Sequence, residues 1–229
     1  NEAGGMCSWI AAATSYSTNN RIMIPFFVYY SMFGFQRFGD FAWAAGDMQA
    51  RGFILGGTSG RTTLNGEGLQ HEDGHSQILA NTIPNCMSYD PSFAHEVGVI
   101  MHDGMKRMVE RQENVYYYIT LLNENYAMPG LRPGTEEQII KGMYLCKQGA
   151  EGGVRVQLLG SGSILRESLE AQILLAADWG VQADVWSCTS FNELTREGQD
   201  AERWNLLHPL ETARVPFVTQ QLASRNGPV

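Results

Sequence analysis

Apolar residues along this chain form short unbroken runs, separated by longer stretches in which apolar positions recur with helical spacing. An unbroken apolar run is typical of a strand that is buried on both faces of a sheet. Helical spacing indicates a helix with one face packed on a core. We therefore predict strands at 22–31, 53–55, 86–89, 115–122, 154–160 and 182–191. The predicted helices lie at 3–17, 36–50, 92–112, 163–179 and 196–207.

The order of these elements predicts the fold class. Strands alternate with helices, which favours parallel pairing and an α/β layer architecture. Two prolines and two glycines within residues 127–135 mark a linker. We therefore predict two domains, residues 1–131 and residues 132–229, and the second domain begins here with two strands.

Charge and hydropathy narrow the choice of partners. The formal net charge of -8 argues against a phosphate backbone as partner, because nucleic-acid-binding proteins usually carry a basic face. The stretch 3–20 lacks charged residues, but its glycines, serines and asparagines make it too polar to span a membrane. No basic segment precedes it, as a signal peptide would require. We expect neither nucleic acid nor a membrane as a partner.

The cysteines indicate a reducing compartment. They are far apart in sequence and form no CxxC pair, which argues against a zinc site or a disulfide scaffold. The sequence therefore predicts reduced thiols in a cytoplasmic protein. Because the chain begins with Asn1 and ends at Val229 just after a helical pattern, we also expect it to be a portion of a longer polypeptide.

The glycine-rich segment, residues 58–76, has too many glycines to form a single helix or strand. It contains His71-Glu72-Asp73-Gly74-His75, a literal match to the H-E-x-x-H pattern of zinc metalloproteases. In those enzymes two histidines on one helical face bind the metal and the glutamate activates water. Glu96, further along the chain, would be a conceivable third ligand.

The sequence around this motif disfavours the zinc hypothesis. Gly66, Gly68 and Gly74 would each cost about 1 kcal/mol inside a helix. Asp73-Gly74 is a turn dipeptide, and no apolar face flanks the motif. A zinc metalloprotease acting through His71 and His75 therefore stays an alternative, beside a reading in which the two histidines have no chemical role.

A second glycine-containing turn, Gly160-Ser161-Gly162-Ser163, lies between a predicted strand and a predicted helix. Helix N-termini attract phosphate groups, so this turn is a candidate phosphate site. It lacks the third glycine of a dinucleotide-binding turn and the lysine of a P-loop. The pattern favours a tight turn in which a serine caps the following helix.

Longer runs resemble a known family. They are Tyr-Tyr-Ser-Met-Phe-Gly-Phe-Gln-Arg at 29–37, the glycine-rich run Ser-Gly-Arg-Thr-Thr-Leu-Asn-Gly-Glu-Gly-Leu-Gln-His-Glu-Asp-Gly-His at 59–75, and Asn-Val-Tyr-Tyr-Tyr-Ile-Thr at 114–120. Leu-Leu-Gly-Ser-Gly-Ser-Ile-Leu-Arg at 158–166 and Glu-Arg-Trp-Asn-Leu-Leu-His-Pro-Leu-Glu-Thr at 202–212 extend the similarity. From its first residue to its last, the chain resembles the homodimeric bacterial pyruvate dehydrogenases, which use thiamine diphosphate.

The resemblance implies a fold and cofactors. Residues 1–131 would be most of a transketolase-like pyrimidine-binding domain, and residues 132–229 the beginning of the C-terminal transketolase-like domain. Thiamine diphosphate and Mg²⁺ would be the cofactors. The Gly-Asp-Gly metal motif of thiamine enzymes is absent, since Gly39-Asp40-Phe41 and Gly46-Asp47-Met48 both lack the second glycine. We therefore assign no metal ligand to this chain.

The resemblance also implies roles for individual residues. Glu2 would hydrogen-bond the pyrimidine ring and activate the cofactor, and Phe33 would stack on that ring. Tyr30 and His71 would hydrogen-bond the cofactor-bound substrate, and Tyr30 also belongs to the predicted cofactor site. His75 and Glu67 would only organise the glycine-rich segment. Without the resemblance, Glu2 is simply an acidic residue stabilised at a helix N-terminus.

Finally, the resemblance implies a reaction and its partners. Pyruvate would be decarboxylated oxidatively and an acetyl group passed to a lipoyl group on the dihydrolipoyl acetyltransferase of the pyruvate dehydrogenase complex. The glycines of residues 58–76 would allow the backbone to rearrange during that cycle. We expect the isolated portion to be inactive. The remaining alternative, from another class, is a non-catalytic α/β module used only for dimer contact.

Overall fold

The computed structural model describes residues 1–60, 68 and 71–229. The described residues form an α/β fold with two sheets, which confirms the predicted fold class. Its strands are β1 (Phe26–Tyr30), β2 (Phe53–Gly57), β3 (Cys86–Tyr89), β4 (Tyr116–Thr120), β5 (Tyr144–Lys147), β6 (Val154–Gly160) and β7 (Val181–Ser187). Glu67 and part of the glycine-rich segment lie outside the described residues.

The first sheet has the order β1-β2-β4-β3 in the described part of the chain, and its neighbouring strands are parallel. Alternate residues of β4 point into two cores. Tyr116 and Tyr118 pack with α1 (Glu2–Ala13) and α3 (Gly34–Asp47) on one face. Tyr117 and Ile119 pack with α5 (Ala94–Met105) on the other. Both faces of β4 are therefore buried, as its continuous apolar run predicts.

Strand β1 corrects one prediction. Residues 22–31 were expected to form a strand buried on both faces, but β1 lies at the edge of the sheet. Phe26, Val28 and Tyr30 are between 53% and 62% exposed on its outward face. A continuous apolar run does not distinguish a central strand from an edge strand with an uncovered apolar face.

The remaining helices agree with the predicted order but differ in their ends. The predicted helix 3–17 is interrupted at Thr14, after which α2 (Ser15–Thr18) follows α1. The predicted helix 92–112 begins as α5 and ends as a π-helical turn, Lys106–Glu110. The short helices α4 (Ser76–Asn81), α6 (Glu136–Lys141) and α9 (Phe217–Leu222) were not predicted, and α7 (Ile164–Trp179) and α8 (Phe191–Leu207) were.

The second sheet has the order β5-β7-β6 in the described residues. Strands β6 and β7 are parallel, as predicted, but β5 is antiparallel to β7 and was not predicted. The second unit therefore contains three strands instead of two. Strand β5 is only four residues long and follows Gly142, whose positive φ of 107° ends α6.

The turn after β6 also differs from expectation. Ser163 precedes α7, but its side chain makes no capping hydrogen bond. Instead the turn packs on Asp90, at the end of β3. The Ser161 hydroxyl donates to Asp90 Oδ2 at 2.9 Å, and the Gly162 N–H donates to the Asp90 carbonyl at 2.9 Å. The turn thus joins the two sheets.

Glu96 makes hydrogen bonds to both units. It is fully buried, and Oε2 accepts from the backbone N–H groups of Ser92 (2.6 Å) and Phe93 (3.0 Å) at the start of α5. Its Oε1 accepts from the Tyr144 hydroxyl (2.7 Å) on β5 and the Ser187 hydroxyl (2.6 Å) on β7. Glu96 is therefore a structural carboxylate. Among the described helices, none is long and apolar enough to cross a membrane.

Candidate functional site at the ends of β1 and β2

The predicted site residues lie at the carboxyl ends of two parallel strands. Tyr30 is the last residue of β1 and pairs with Gly57, the last residue of β2. A short 3-10 helix, Ser31–Phe33, follows β1 directly, and α3 begins at Gly34. Because parallel strands end at the same edge, this is where α/β sheets bind ligands.

Three of the predicted residues form an aromatic cluster. The rings of Tyr30 and Phe33 are 6.3 Å apart and nearly perpendicular. The His71 imidazole lies edge-on to both, with ring centroids 5.2 Å from Phe33 and 5.9 Å from Tyr30. The His71 backbone N–H donates to the Gly68 carbonyl at 3.1 Å. The structure thus brings His71 from the glycine-rich segment against the end of β1.

Glu2, the fourth predicted residue, lies beside a cavity of about 370 Å³. The cavity is lined by Asn1, Glu2, Phe27, Val28, Tyr29, Tyr30, Gly57 and Thr58. Glu2 enters it from the first turn of α1, whereas Tyr30 and Gly57 enter it from the sheet. One cavity therefore contains a carboxylate and the ends of both strands. Phe33 and His71 flank it through their contacts with Tyr30.

Arg37 connects Glu2 to the aromatic cluster and was not assigned a role from the sequence. Its Nη1 donates to Glu2 Oε2 at 2.9 Å, and its guanidinium lies 4.3 Å from the centre of the Phe33 ring. The hydrogen bond from Arg37 is the main reason why the pKa of Glu2 is lowered from its usual value. Glu2 is therefore ionised at neutral pH. One helical turn separates Phe33 from Arg37, a spacing that shared-face reasoning could have used.

The end of the glycine-rich segment is tied to α3 and to the sheet. Gln36 Nε2 and His75 Nε2 are 3.2 Å apart, so His75 is held by the residue next to Arg37. Asp73 is 3% exposed, and its Oδ1 accepts from the backbone N–H groups of His75 (3.1 Å) and Ser76 (3.0 Å). The sequence indicated a turn at Asp73-Gly74 but gave no signal that the carboxylate would be buried.

The structure does not support the zinc alternative. Helix α4 begins only at Ser76, so His71 and His75 do not occupy one face of a helix. Glu96 is committed to four hydrogen bonds elsewhere. Among the residues that the structure describes, no group of three or more His, Cys, Asp or Glu side chains is placed to hold a metal ion.

Comparison with known proteins decides the family. Residues 1–129 match the family model described as "Pyruvate dehydrogenase E1 component middle domain". The chain belongs to the pyruvate dehydrogenase E1 component family. Residues 142–227 match a second model, "Transketolase-like TK C-terminal domain". The resemblance stated from the sequence is thereby confirmed, while the boundary between residues 131 and 132 stays a prediction.

Named relatives in the pyruvate dehydrogenase E1 family are similar throughout this chain. The pyruvate dehydrogenase E1 component of Escherichia coli K12 is 69% identical over 223 residues, which is 96% of this chain and 25% of the relative. That of Cupriavidus necator is 61% identical over 231 residues, covering 100% of this chain and 26% of the relative. The chain therefore spans about a quarter of the length of these relatives.

A solved structure supports the fold. Transketolase from Campylobacter jejuni is 15% identical, with a TM-score of 0.63, over 85% of this chain and 28% of that one. At this identity the likeness concerns the fold alone. It agrees with the transketolase-like architecture expected from the sequence.

Proposed function

We propose that this chain is the pyrimidine-binding portion of a thiamine diphosphate-dependent pyruvate dehydrogenase, the E1 component of the pyruvate dehydrogenase complex. The whole enzyme would decarboxylate pyruvate oxidatively and acetylate a lipoyl group. The observation that carries this proposal is the convergence of Glu2, Tyr30, Phe33 and His71 on one edge of a parallel sheet, beside a cavity of about 370 Å³.

The residues present fit the pyrimidine half of thiamine diphosphate. An ionised carboxylate is a hydrogen-bond acceptor, and Glu2 provides one at the cavity wall. The contact from Arg37 engages Oε2, so we assign Oε1 to accept a hydrogen bond from the ring nitrogen of the pyrimidine when that nitrogen is protonated. Phe33 supplies an aromatic ring for offset stacking, worth about 0.5–1.5 kcal/mol beyond burial.

The diphosphate and its Mg²⁺ require other residues. No acidic or histidine cluster suited to a metal is present among the described residues, and no metal ligand is assigned to this chain. We infer that these ligands belong to parts of the full-length enzyme beyond this portion. When bound, thiamine diphosphate supplies the electron sink for cleaving the carbon–carbon bond of the 2-oxo acid.

Tyr30 and His71 are assigned to the substrate. Both rings stand at the strand end, next to the cavity wall that carries Glu2. A phenol and an imidazole N–H donate hydrogen bonds, so the pair can orient the carboxylate and carbonyl oxygens of pyruvate.

The partners follow from the same proposal. The dihydrolipoyl acetyltransferase component would receive the acetyl group, and a second copy of the enzyme would complete a homodimer. The outward face of β1, with Phe26, Val28 and Tyr30 more than half exposed, supports a protein neighbour beside the site. The cytoplasmic location stays a prediction.

Replacement of Glu2 by Ala in the full-length enzyme tests the proposal. The measurement is thiamine diphosphate-dependent decarboxylation of pyruvate with an artificial electron acceptor, together with acetylation of a lipoyl domain. We expect both activities to be lost, because no other described carboxylate lines the cavity. Glu151→Ala, an exposed position in the second unit, serves as the matched control. Full activity of Glu2→Ala would refute the assignment.

A further inference from the structure

Asp73 is a buried carboxylate near the end of the glycine-rich segment, two residues after His71. It is 3% exposed although it lies between residues that are partly exposed, Glu72 and Gly74 among them. Burial of a carboxylate is unfavourable unless hydrogen bonds compensate it. The contacts that compensate Asp73 therefore indicate what this residue holds in place.

One oxygen of Asp73 organises the start of α4. Oδ1 accepts from the backbone N–H groups of His75 and Ser76, at 3.1 Å and 3.0 Å. These groups lie at the N-terminus of α4, where backbone donors lack partners within the helix. The carboxylate thus fixes the backbone where the glycine-rich segment enters a regular helix.

The other oxygen fixes this point against the sheet. Oδ2 accepts from the Tyr118 hydroxyl at 3.4 Å, and Tyr118 is fully buried on β4 with its ring 5.1 Å from that of Phe35. The Ser76 hydroxyl donates to the Ser31 carbonyl at 3.3 Å, in the 3-10 helix that carries Phe33. The start of α4 is therefore tied to both sides of the candidate site.

We propose that Asp73 is a positioning residue, which acts by holding His71 against Tyr30 and Phe33. Two residues span at most about 7 Å of extended chain, so a fixed Asp73 confines the His71 backbone to that radius. This inference rests on the proposed function, because it makes the position of His71 matter for catalysis. A histidine displaced by about 1 Å can reduce the rate by a factor of about 100.

A double-mutant cycle in the full-length enzyme tests whether Asp73 acts through His71. The variants are Asp73→Ala, His71→Ala and both together, with kcat and KM for pyruvate as the readouts. We expect Asp73→Ala alone to lower kcat/KM by about 10- to 100-fold. In the His71→Ala background, Asp73→Ala should lower kcat/KM by less than a further factor of about two, because the side chain that Asp73 positions is already absent.

Tyr117, which precedes Tyr118 on β4, offers a matched control. The Tyr117 hydroxyl donates to Asp103 Oδ2 at 3.4 Å, the same kind of contact at the same length, on the opposite face of β4 and away from the site. Asp103→Ala and Tyr117→Phe should therefore leave kcat/KM unchanged, whereas Tyr118→Phe should lower it. Asp73→Asn keeps an oxygen acceptor for the two N–H groups and should retain more activity than Asp73→Ala.

A crystal structure of the Asp73→Ala enzyme gives a readout that does not depend on activity. We expect the His71 and Phe33 ring centroids to move apart from their separation of 5.2 Å. If Asp73→Ala does not fold, Asp73→Asn and Tyr118→Phe replace it in the same cycle and in the same structural comparison.

The outcomes separate the two proposals. Equal losses from Asp73→Ala with and without His71 would overturn the positioning role, as would an unmoved His71 ring or a fully active Asp73→Ala enzyme. The positioning role would also be overturned if Asp73→Ala lowered kcat/KM while His71→Ala remained fully active. Full activity of Glu2→Ala would instead refute the proposed function, and the His71–Phe33 distance would still decide whether Asp73 holds that ring.

Discussion

Arg37 donates a hydrogen bond of 2.9 Å to the Glu2 carboxylate, and so joins the start of α1 to the first turns of α3. The arginine side chain is 51% exposed and that of the glutamate 16% exposed. The pair therefore lies at the rim of the cavity, where dissolved salt partly screens the attraction between Arg37 and Glu2.

Arg37→Met in the full-length enzyme should shift the acid limb of the pH profile. The hydrogen bond from Arg37 lowers the pKa of Glu2 below its usual 4.5. Without it the pKa of Glu2 rises, so the carboxylate is protonated at a higher pH and kcat/KM begins to fall at a higher pH. The shift should be larger at low ionic strength. Arg21→Met, at an exposed position, is the control, and an acid limb that stays in place would contradict this role for Arg37.

Gly56→Ala should disturb the candidate site through steric contact with residues that pack behind it. A Cβ at Gly56 would lie 2.7 Å from the Tyr118 hydroxyl and 2.8 Å from the Ser31 side chain. Both neighbours hold the start of α4, so we expect the substitution to lower kcat/KM as well as stability. Gly39→Ala, in α3 with open space around it, should be neutral or stabilise the helix by about 0.5–1 kcal/mol. Steady-state kinetics and thermal unfolding of both variants, measured side by side, would reveal whether the predicted contrast exists.

Thiol labelling should discriminate among the cysteines. Burial raises the pKa of Cys86 and of Cys188 to about 12, whereas Cys7 is exposed. Because the thiolate is the reactive form, Cys7 should react first at about pH 8 and the two buried thiols only on unfolding. Mass spectrometry of the labelled peptides measures this, and Cys7→Ser should remove the fast phase. Labelling of Cys86 as fast as that of Cys7 would contradict its burial.

The same two thiols predict a loss of stability in alkali. A pKa raised from 9.0 to about 12 means that the folded state retains these protons when the unfolded chain releases them. Their contribution to the free energy of unfolding is therefore complete below about pH 9 and is lost as the pH rises towards 12. Urea midpoints measured across this range should fall, and a flat profile would contradict the prediction.

Asp184→Ala should destabilise the second unit. Asp184 is fully buried on β7 and accepts from Arg155 Nη1 at 2.6 Å and from the Gly149 N–H at 2.9 Å. Arg155 is 16% exposed and also donates to the Ala150 carbonyl, so the cost should lie below the ~3–5 kcal/mol that is typical when a fully buried ion pair loses one partner. Urea unfolding and limited proteolysis of the full-length protein are the measurements. Lys141→Ala, which removes the exposed pair with Glu137, should have no detectable effect.

Sequence patterns predicted the strands that are defined by a continuous apolar run. Tyr116–Thr120 is the clearest case, because every residue of β4 is buried. The same rule misjudged β1, since apolarity alone does not reveal whether a sheet continues beyond a strand. Helix α4 was missed because six residues are too few to establish a helical periodicity. Strand β5 is as short as the predicted β3, but it ends in the exposed Lys147 and therefore does not form an unbroken apolar run.

The position of the candidate site was predicted in part, whereas the roles of its residues stay predictions. The resemblance pointed to Glu2, Tyr30, Phe33 and His71, and the structure places these residues around one strand end. Arg37 and Asp73 were not foreseen, because each acquires its importance from a partner on another element. Arg37 needs Glu2 of α1, and Asp73 needs Tyr118 of β4. Such pairings are set by tertiary packing, which no local pattern encodes.

Glu96 has a mechanical consequence for the two units of this chain. Two of its four hydrogen bonds come from the first unit and two from the second, and the carboxylate has no exposure to solvent. A hinge opening at residues 127–135 would remove two hydrogen bonds from a fully buried carboxylate, which is energetically unfavourable. The two sheets should therefore move together as one rigid block. Any local rearrangement at the candidate site would then have to involve the described residues at its rim, where Thr58 and His71 lie beside Tyr30.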